Sequence, residues 1–584
     1  MSADRKGSFI FNQAKERLSL PQRYLKELKS RTFKFSGWLL VLYAIAVAST
    51  IQLSHTITVR LATPPATSPV MNTEDSTKLY YVASFGRSIL HVFLYLFVGW
   101  FSDIKIGRKG AVRLSLWINW FGVLLEMCSM CIQFGSGSYP AINTAKYGVS
   151  MIALLLMLLG SAMFFVNVVA YGLDQLADYS NSRIRAFIHW LVWGLFIGFT
   201  AGYIGRDNVY NSNLQLCLGL GVFIASSLAV CTDSLLNHYY METGELAENP
   251  YRLVLKVLWY ASRHKHMLSQ RSAFTFWEAE TPNRISLAKQ KYGGPFPDQS
   301  VENVKTFLRI ILICFALFGF YIPFFVMYGR IVVDQFEGST ESLGGYGSYI
   351  MWNICDKIVI ILVALYELVL IPLFPKLEYF FLNPLRWLGI SYILLLITLL
   401  ITFAISVAGE VLTPYEVNCT TETKKFQVSF LYFTVPFLLY GLIDMISIIS
   451  GLEFIGSQSP TYMSGMLTGV FWFVRGIYTE VGRLIQLSFS LITHGPGDLS
   501  CNFWNILTQI VILIVGFFIY VKAAKWYQNR IRNEASDRTI IEEKYSQRLE
   551  RSEEESEIVI DENGEEVSSL HDYFLKDYVI ETVK

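Results

Sequence analysis

Asn167-Val-Val-Ala-Tyr171-Gly-Leu-Asp174-Gln175-Leu-Ala-Asp178 stands between two apolar runs, Met151 to Val169 and a second that begins near Phe187. Two long apolar runs joined by a short loop carrying Asp174, Asp178, Arg183 and Arg185 form a transmembrane hairpin rather than a soluble motif. The rest of the chain repeats that pattern. Hydrophobic residues make up 53% of it and charged residues 16%, where a soluble domain carries about 25% charged residues. Apolar spans fall near 37–59, 79–101, 112–134, 147–172, 186–204, 214–233, 307–329, 347–374, 386–409, 428–451, 462–492 and 503–525. The expected architecture is all-α: twelve transmembrane helices in two bundles of six. The bundles cover 37–233 and 307–525, joined by a polar segment, 234–306, and flanked by segments 1–36 and 526–584.

Lys and Arg crowd residues 1–36, the loop with Lys105, Arg108 and Lys109, and the 234–306 segment, while Ile331 to Gly345 has only Arg330 at its edge. The positive-inside rule therefore places both ends and the central segment in the cytoplasm. Asn418-Cys-Thr420 is then a glycosylation sequon on the outer side, and Cys419 and Cys501 both fall in outer loops. The start of the chain has no signal-peptide core. The net charge of +1 gives no basic surface for nucleic acid. No phosphate-binding loop, catalytic triad or zinc spacing occurs, so no enzyme, cofactor or metal is expected. The tail turns acidic after Arg551, and its default is a solvated segment.

Charges at bilayer depth are costly and face a cavity or one another. Arg87 and His91 share a face of span 2. Glu126 lies in span 3, Asp356, Lys357 and Glu367 in span 8, and Asp444 and Glu453 in span 10. Arg87 and Asp444 are read as cavity residues, and Glu453 as a structural one. An Arg87–Glu126 ion pair is an open alternative, and His91 is read as a packing residue, with titration near neutral pH as its alternative. Pro323 and Pro436 interrupt spans 7 and 10, as helices that bend around a polar cavity tolerate.

Four stretches carry a resemblance. The quoted hairpin resembles the span 4–5 signature of the proton-dependent oligopeptide transporters, which lie in the major facilitator superfamily. Gly99-Trp-Phe-Ser-Asp103-Ile-Lys-Ile-Gly107-Arg108-Lys109 resembles the loop 2–3 signature of that superfamily. Arg284-Ile-Ser286-Leu-Ala-Lys289-Gln-Lys-Tyr292-Gly-Gly-Pro-Phe296 resembles the family's central loop, with Ser286 and Asn303 in place of two aspartates. Asp444 to Pro460 resembles its span 10–11 signature. The resemblance implies the major facilitator fold and a secondary transporter of di- or tripeptides or peptide-like solutes, linked to protons. It also implies a multi-pass location in the plasma or endolysosomal membrane. It makes Arg87, Asn167, Tyr171, Tyr321, Trp352 and Asp444 the candidate substrate residues, and Asp444, Glu367 and Glu126 the candidate proton carriers. Gly99, Asp103, Gly107, Arg108, Asp174, Gln175 and Glu453 become gating or structural residues. The family's Glu-x-x-Glu-Arg group is missing from span 1, and Phe165 replaces its span 4 lysine. Those departures leave weakly coupled transport as one expectation and a transport-deficient sensor or scaffold as its alternative.

Overall fold

The computed structural model describes residues 20–62, 73–135, 140–176, 179–206, 212–236, 250–264, 283–326, 347–380, 383–412, 431–460, 463–492 and 501–527. Asn418 and Cys419 lie outside the described residues, as do the side chains of Trp352 and Cys501.

A short helix, α1 (Leu20–Ser30), precedes the first long one. The first bundle contains α2 (Phe35–Ala62), α3 (Thr73–Phe101), α4 (Gly107–Gly135), α5 (Pro140–Gln175), α6 (Asn181–Arg206) and α7 (Ser212–Leu235). The connecting helix α8 is Pro250–Arg263. The second bundle contains the pair α9 (Asp298–Ala316) and α10 (Phe318–Val326), then α11 (Gly347–Leu365), the short α12 (Lys376–Phe380), α13 (Pro384–Leu412), α14 (Leu431–Gln458), α15 (Ser464–Ile492) and α16 (Cys501–Trp526). Nine described segments, one of them running through both α3 and α4, are long and apolar enough to cross a bilayer. α15 is an exception because Arg475, Glu480 and Arg483 lie within it, and it packs among other helices.

Span 7 departs from expectation. It starts at Asp298, within what reads as linker, and breaks at Leu317 into two helices. Pro323 in the second piece lacks the N–H that would reach back one turn. Close contact between helices rests on glycine. A Cβ on Gly319 would stand 2.4 Å from the Gly516 Cα, so α10 and α16 touch backbone to backbone.

The central segment folds onto α9. Gln290 N–H donates to Phe296 O at 2.8 Å, and Phe296 N–H to Ala288 O at 3.1 Å. Gly293 sits at φ +82°, the left-handed region that favours glycine. Lys305 Nζ lies 2.6 Å from Ser286 Oγ and 2.9 Å from Glu302, so the serine standing where the family has an aspartate still takes the lysine.

The bundles meet along two seams. α3 lies antiparallel to α15, and α6 lies against α11 and α14. Contacts follow the first seam from Gly99 against Gly465, through Tyr95 against Gly469, to Val92 against Gly476. A Cβ on Gly99 would come within 2.9 Å of Gly465 O.

Candidate functional site

Where α3 turns into α4, a single π-helical turn, Ser102–Ile106, aims Asp103 at the start of α15. Its Oδ2 accepts the Met466 N–H at 2.9 Å. A carboxylate there satisfies a donor that the helix leaves unpaired and meets the positive end of its dipole. The sequence reads Asp103 as joining the halves through charge, and the partner found is a helix terminus. Gly107 follows at φ +76°. Arg108 then reaches α5, its Nη1 lying 2.8 Å and 2.7 Å from the two Asp174 oxygens. Gln175, next to Asp174, is buried.

Farther along the α3–α15 seam lie two charged groups of α15 that the inventory of span charges had missed. Arg475 Nη2 donates to Asp444 Oδ1 of α14 at 2.7 Å. Its guanidinium carbon sits 5.4 Å from the Tyr321 ring centre and 4.9 Å from that of Phe325, both on α10. The guanidinium is also within reach of the Tyr321 hydroxyl. One turn on, the Glu480 carboxylate meets the Ser88 hydroxyl, within electrostatic reach of Arg87. Asp444 therefore pairs with Arg475, while Arg87 is only in electrostatic reach of Glu480, whose ion pair at 3.1 Å is with Arg483 of its own helix.

An aromatic wall connects the two groups. His91 hydrogen-bonds Ser161 of α5 at 3.1 Å and packs on Tyr95. Tyr95 and Phe165 both meet Trp472, with ring centres 6.1 Å and 5.4 Å away. Phe471 links Trp472 to Tyr321. Phe165, in the place of the family lysine, is thus a wall residue.

The hairpin signature is oriented otherwise. Leu173 packs against Gly456 of the other bundle. Tyr171 is buried within its own bundle, in electrostatic reach of Asp174, Asp233, Arg113 and Tyr43. Asn167, one turn before it, is fully buried, with Nδ2 donating to Met163 O at 2.8 Å. The structure thus does not bring Tyr171 to the wall that the sequence reading gave it. Glu126 is fully buried on α4. Asp356 is buried on α11 in electrostatic reach of Asp444, and Lys357 beside it is exposed.

Glu367 and Glu453 belong to another assembly, at the end of the bundles that carries the α3–α4 turn. Glu367 lies on a π-helical turn, Tyr366–Leu370. Arg31 grips it with two hydrogen bonds of 2.8 Å and stands 3.2 Å from Glu378. Glu453 lies 3.2 Å from Arg185 and 3.3 Å from His189. Glu453 thus sits in an ion-pair network. Glu367, expected as a proton carrier in the cavity, sits in the same network.

Two six-helix halves, meeting face to face over buried charges and clasped at one end, define a multi-pass membrane transporter of the major facilitator class. The POT-family transporter PepTSo shares this fold, with a TM-score of 0.54 and 15% identity over 85% of this chain and 98% of its own. A XylE double mutant has a TM-score of 0.53 and 11% identity over 85% and 95% of the two chains. Residues 111–494 match the profile of the POT family, and the chain belongs to it. Among its relatives, human solute carrier family 15 member 5 is 24% identical over 37% of each chain, so this chain spans about a third of that relative in the match. Rat solute carrier family 15 member 3 is 19% identical over 67% of this chain and 74% of its own.

Proposed function

We propose that this protein moves small peptides or peptide-like solutes across a membrane by alternating access, with its substrate held between α3, α10, α14 and α15. Both termini and the α8 segment face the cytoplasm in this reading, and the membrane is the plasma or an endolysosomal membrane. The observation that carries the proposal is the buried Arg475–Asp444 pair, with the guanidinium packed against Tyr321 and Phe325. A zwitterion suits such a pair. Its carboxylate takes the guanidinium, and its ammonium takes the Asp444 carboxylate that is thereby released. Two charges that satisfy each other without substrate avoid the cost of an isolated buried ion. Arg87 beside Glu480 offers a second cation one turn away. Proton linkage through Asp444 is weak in this reading, because Tyr43 and its neighbours in span 1 include no carboxylate.

The test is uptake of a labelled dipeptide into proteoliposomes. The expected result is saturable uptake that continues down a peptide gradient without a proton gradient and is lost in Arg475→Gln. Binding without flux would replace the transporter with a sensor. Full uptake by Arg475→Gln would remove the substrate site from this pair.

A further inference from the structure

The network at the α3–α4 end has a division of charge that the transport site does not use. Its three basic side chains, Arg31, Arg185 and His189, all come from the first half of the chain. Its three carboxylates, Glu367, Glu378 and Glu453, all come from the second. His189 stands in the middle. Its Nδ1 lies 2.5 Å from Glu367 Oε1 and its Nε2 3.3 Å from Glu453 Oε1. The imidazole is buried, with the Tyr366 ring edge-on at 5.3 Å.

A neutral imidazole has one N–H and one lone pair. Whichever tautomer it took, a lone pair would point at a carboxylate oxygen. Both oxygens of Glu367 already accept from Arg31, so that group is an ionised acceptor. The oxygen of Glu453 that faces His189 also faces the Arg185 Nε. An imidazolium presents a donor to Glu367 and a positive charge to Glu453, whose facing oxygen has no hydrogen-bond partner among the described residues. The charges agree: two guanidinium groups face three carboxylates, the third of them the partly exposed Glu378, and a proton on His189 balances the set. The groups at the ring are Glu367 and Tyr366 from the π-helical turn and Glu453 from α14, and around them Arg31, from the turn before α2, and Arg185, from the same helix, pair with these carboxylates and with Glu378 of α12. Lys34 and Arg183, at the same end, lie over the Tyr179 ring.

We propose that His189 is a proton-binding site that latches the two bundles at this end, with a proton as its ligand. The proton completes the neutral network, so the closed end is favoured at low pH and loosens as pH rises and His189 becomes neutral. Opening lets water hydrate the carboxylates and frees the proton on the side to which the end opens. The gating consequence rests on the alternating-access reading above, and the charge state of His189 does not.

The experiment uses the full chain in liposomes with ring-15N histidine. The signal lost in His189→Gln identifies the residue. Both ring nitrogens protonated in the closed protein is the expected result, and a neutral His189 there overturns the proposal. Hydrogen exchange over residues 366–380 and 450–458 then reads the latch. Protection should fall at least tenfold between about pH 5 and about pH 8, across the histidine range. His189→Arg should keep it throughout, and His189→Gln should lack it even in acid. A wild-type pH profile retained in His189→Gln also overturns the proposal. A protein that carries no peptide would leave both readouts in place, so failure of the transport reading is separable from failure of this one.

Discussion

Removing one member of the Arg475–Asp444 pair should destabilise the protein far more than removing both. Arg475 keeps 9% of its surface exposed, and the pair is closed at 2.7 Å with side-chain exposures of 11% and 18%. Asp444→Asn leaves a guanidinium buried among Tyr321, Phe325 and the apolar faces of α10 and α14. An uncompensated buried charge of this kind costs about 3–5 kcal/mol. Arg475→Leu leaves a carboxylate with somewhat more access to water, and a cost of about 2–3 kcal/mol follows from the lost charge-assisted bond. The double variant buries neither charge and should lose about 1–2 kcal/mol, since an apolar replacement of a buried pair is often close to neutral. The coupling is then roughly 3 kcal/mol or more by the same figures. Unfolding by a denaturing detergent in mixed micelles, followed by circular dichroism, measures all four corners of the cycle. Additive single effects would show that the two groups act independently, and the partner-exchange argument for substrate binding would go with them.

Other perturbations test the packing. Gly319→Ala drives a methyl to 2.4 Å from the Gly516 backbone, and should cost about 1–3 kcal/mol as an overpacked contact, read by the same unfolding curves. Arg31→Ala strips Glu367 Oε2 of its donor and leaves Oε1 to His189 alone and should cost about 3–5 kcal/mol, while Arg31→Lys, which has one nitrogen instead of a fork, recovers only part of it. Gly99→Ala meets Gly465 O at 2.9 Å, so the α3–α15 seam must part, at a cost of about 1–3 kcal/mol read by the same unfolding curves. Asp103→Asn keeps an acceptor for the Met466 N–H but loses the charge, and should cost about 0.3–1 kcal/mol, the usual dipole contribution.

The fold was legible because bilayer thickness writes itself into the chain as apolar runs of about 20 residues. Twelve runs and two bundles were read from that alone. The start of span 7 was not, since Asp298, Glu302 and Lys305 look like linker until Lys289, Ser286 and Lys305 are seen bonding around Glu302. The site was less legible still. The spacing of Asn167 and Tyr171 put them on one face of α5, but nothing local says which face looks across to the other bundle. Phe165 and Leu173 do. Arg475, Glu480 and His189 stood in plain view inside apolar spans, and a complete count of intramembrane charges would have found them. Their partners would not have followed, because Arg31 meets Glu367 across 336 residues, and pairing at that range is a property of the packed halves.

The order of synthesis gives the division of charge at the α3–α4 end a second meaning. When residue 306 leaves the ribosome, Arg31 and Arg185 already exist, and Glu367, Glu378 and Glu453 do not. The first half must wait in the bilayer with its basic groups hydrated or shielded by lipid headgroups. The second half then arrives carrying the complementary acids, so recognition between the two is written in the chain as a lock and a key made at different times. Severed within the 265–282 stretch and produced as two polypeptides, the halves would retain that means of finding each other.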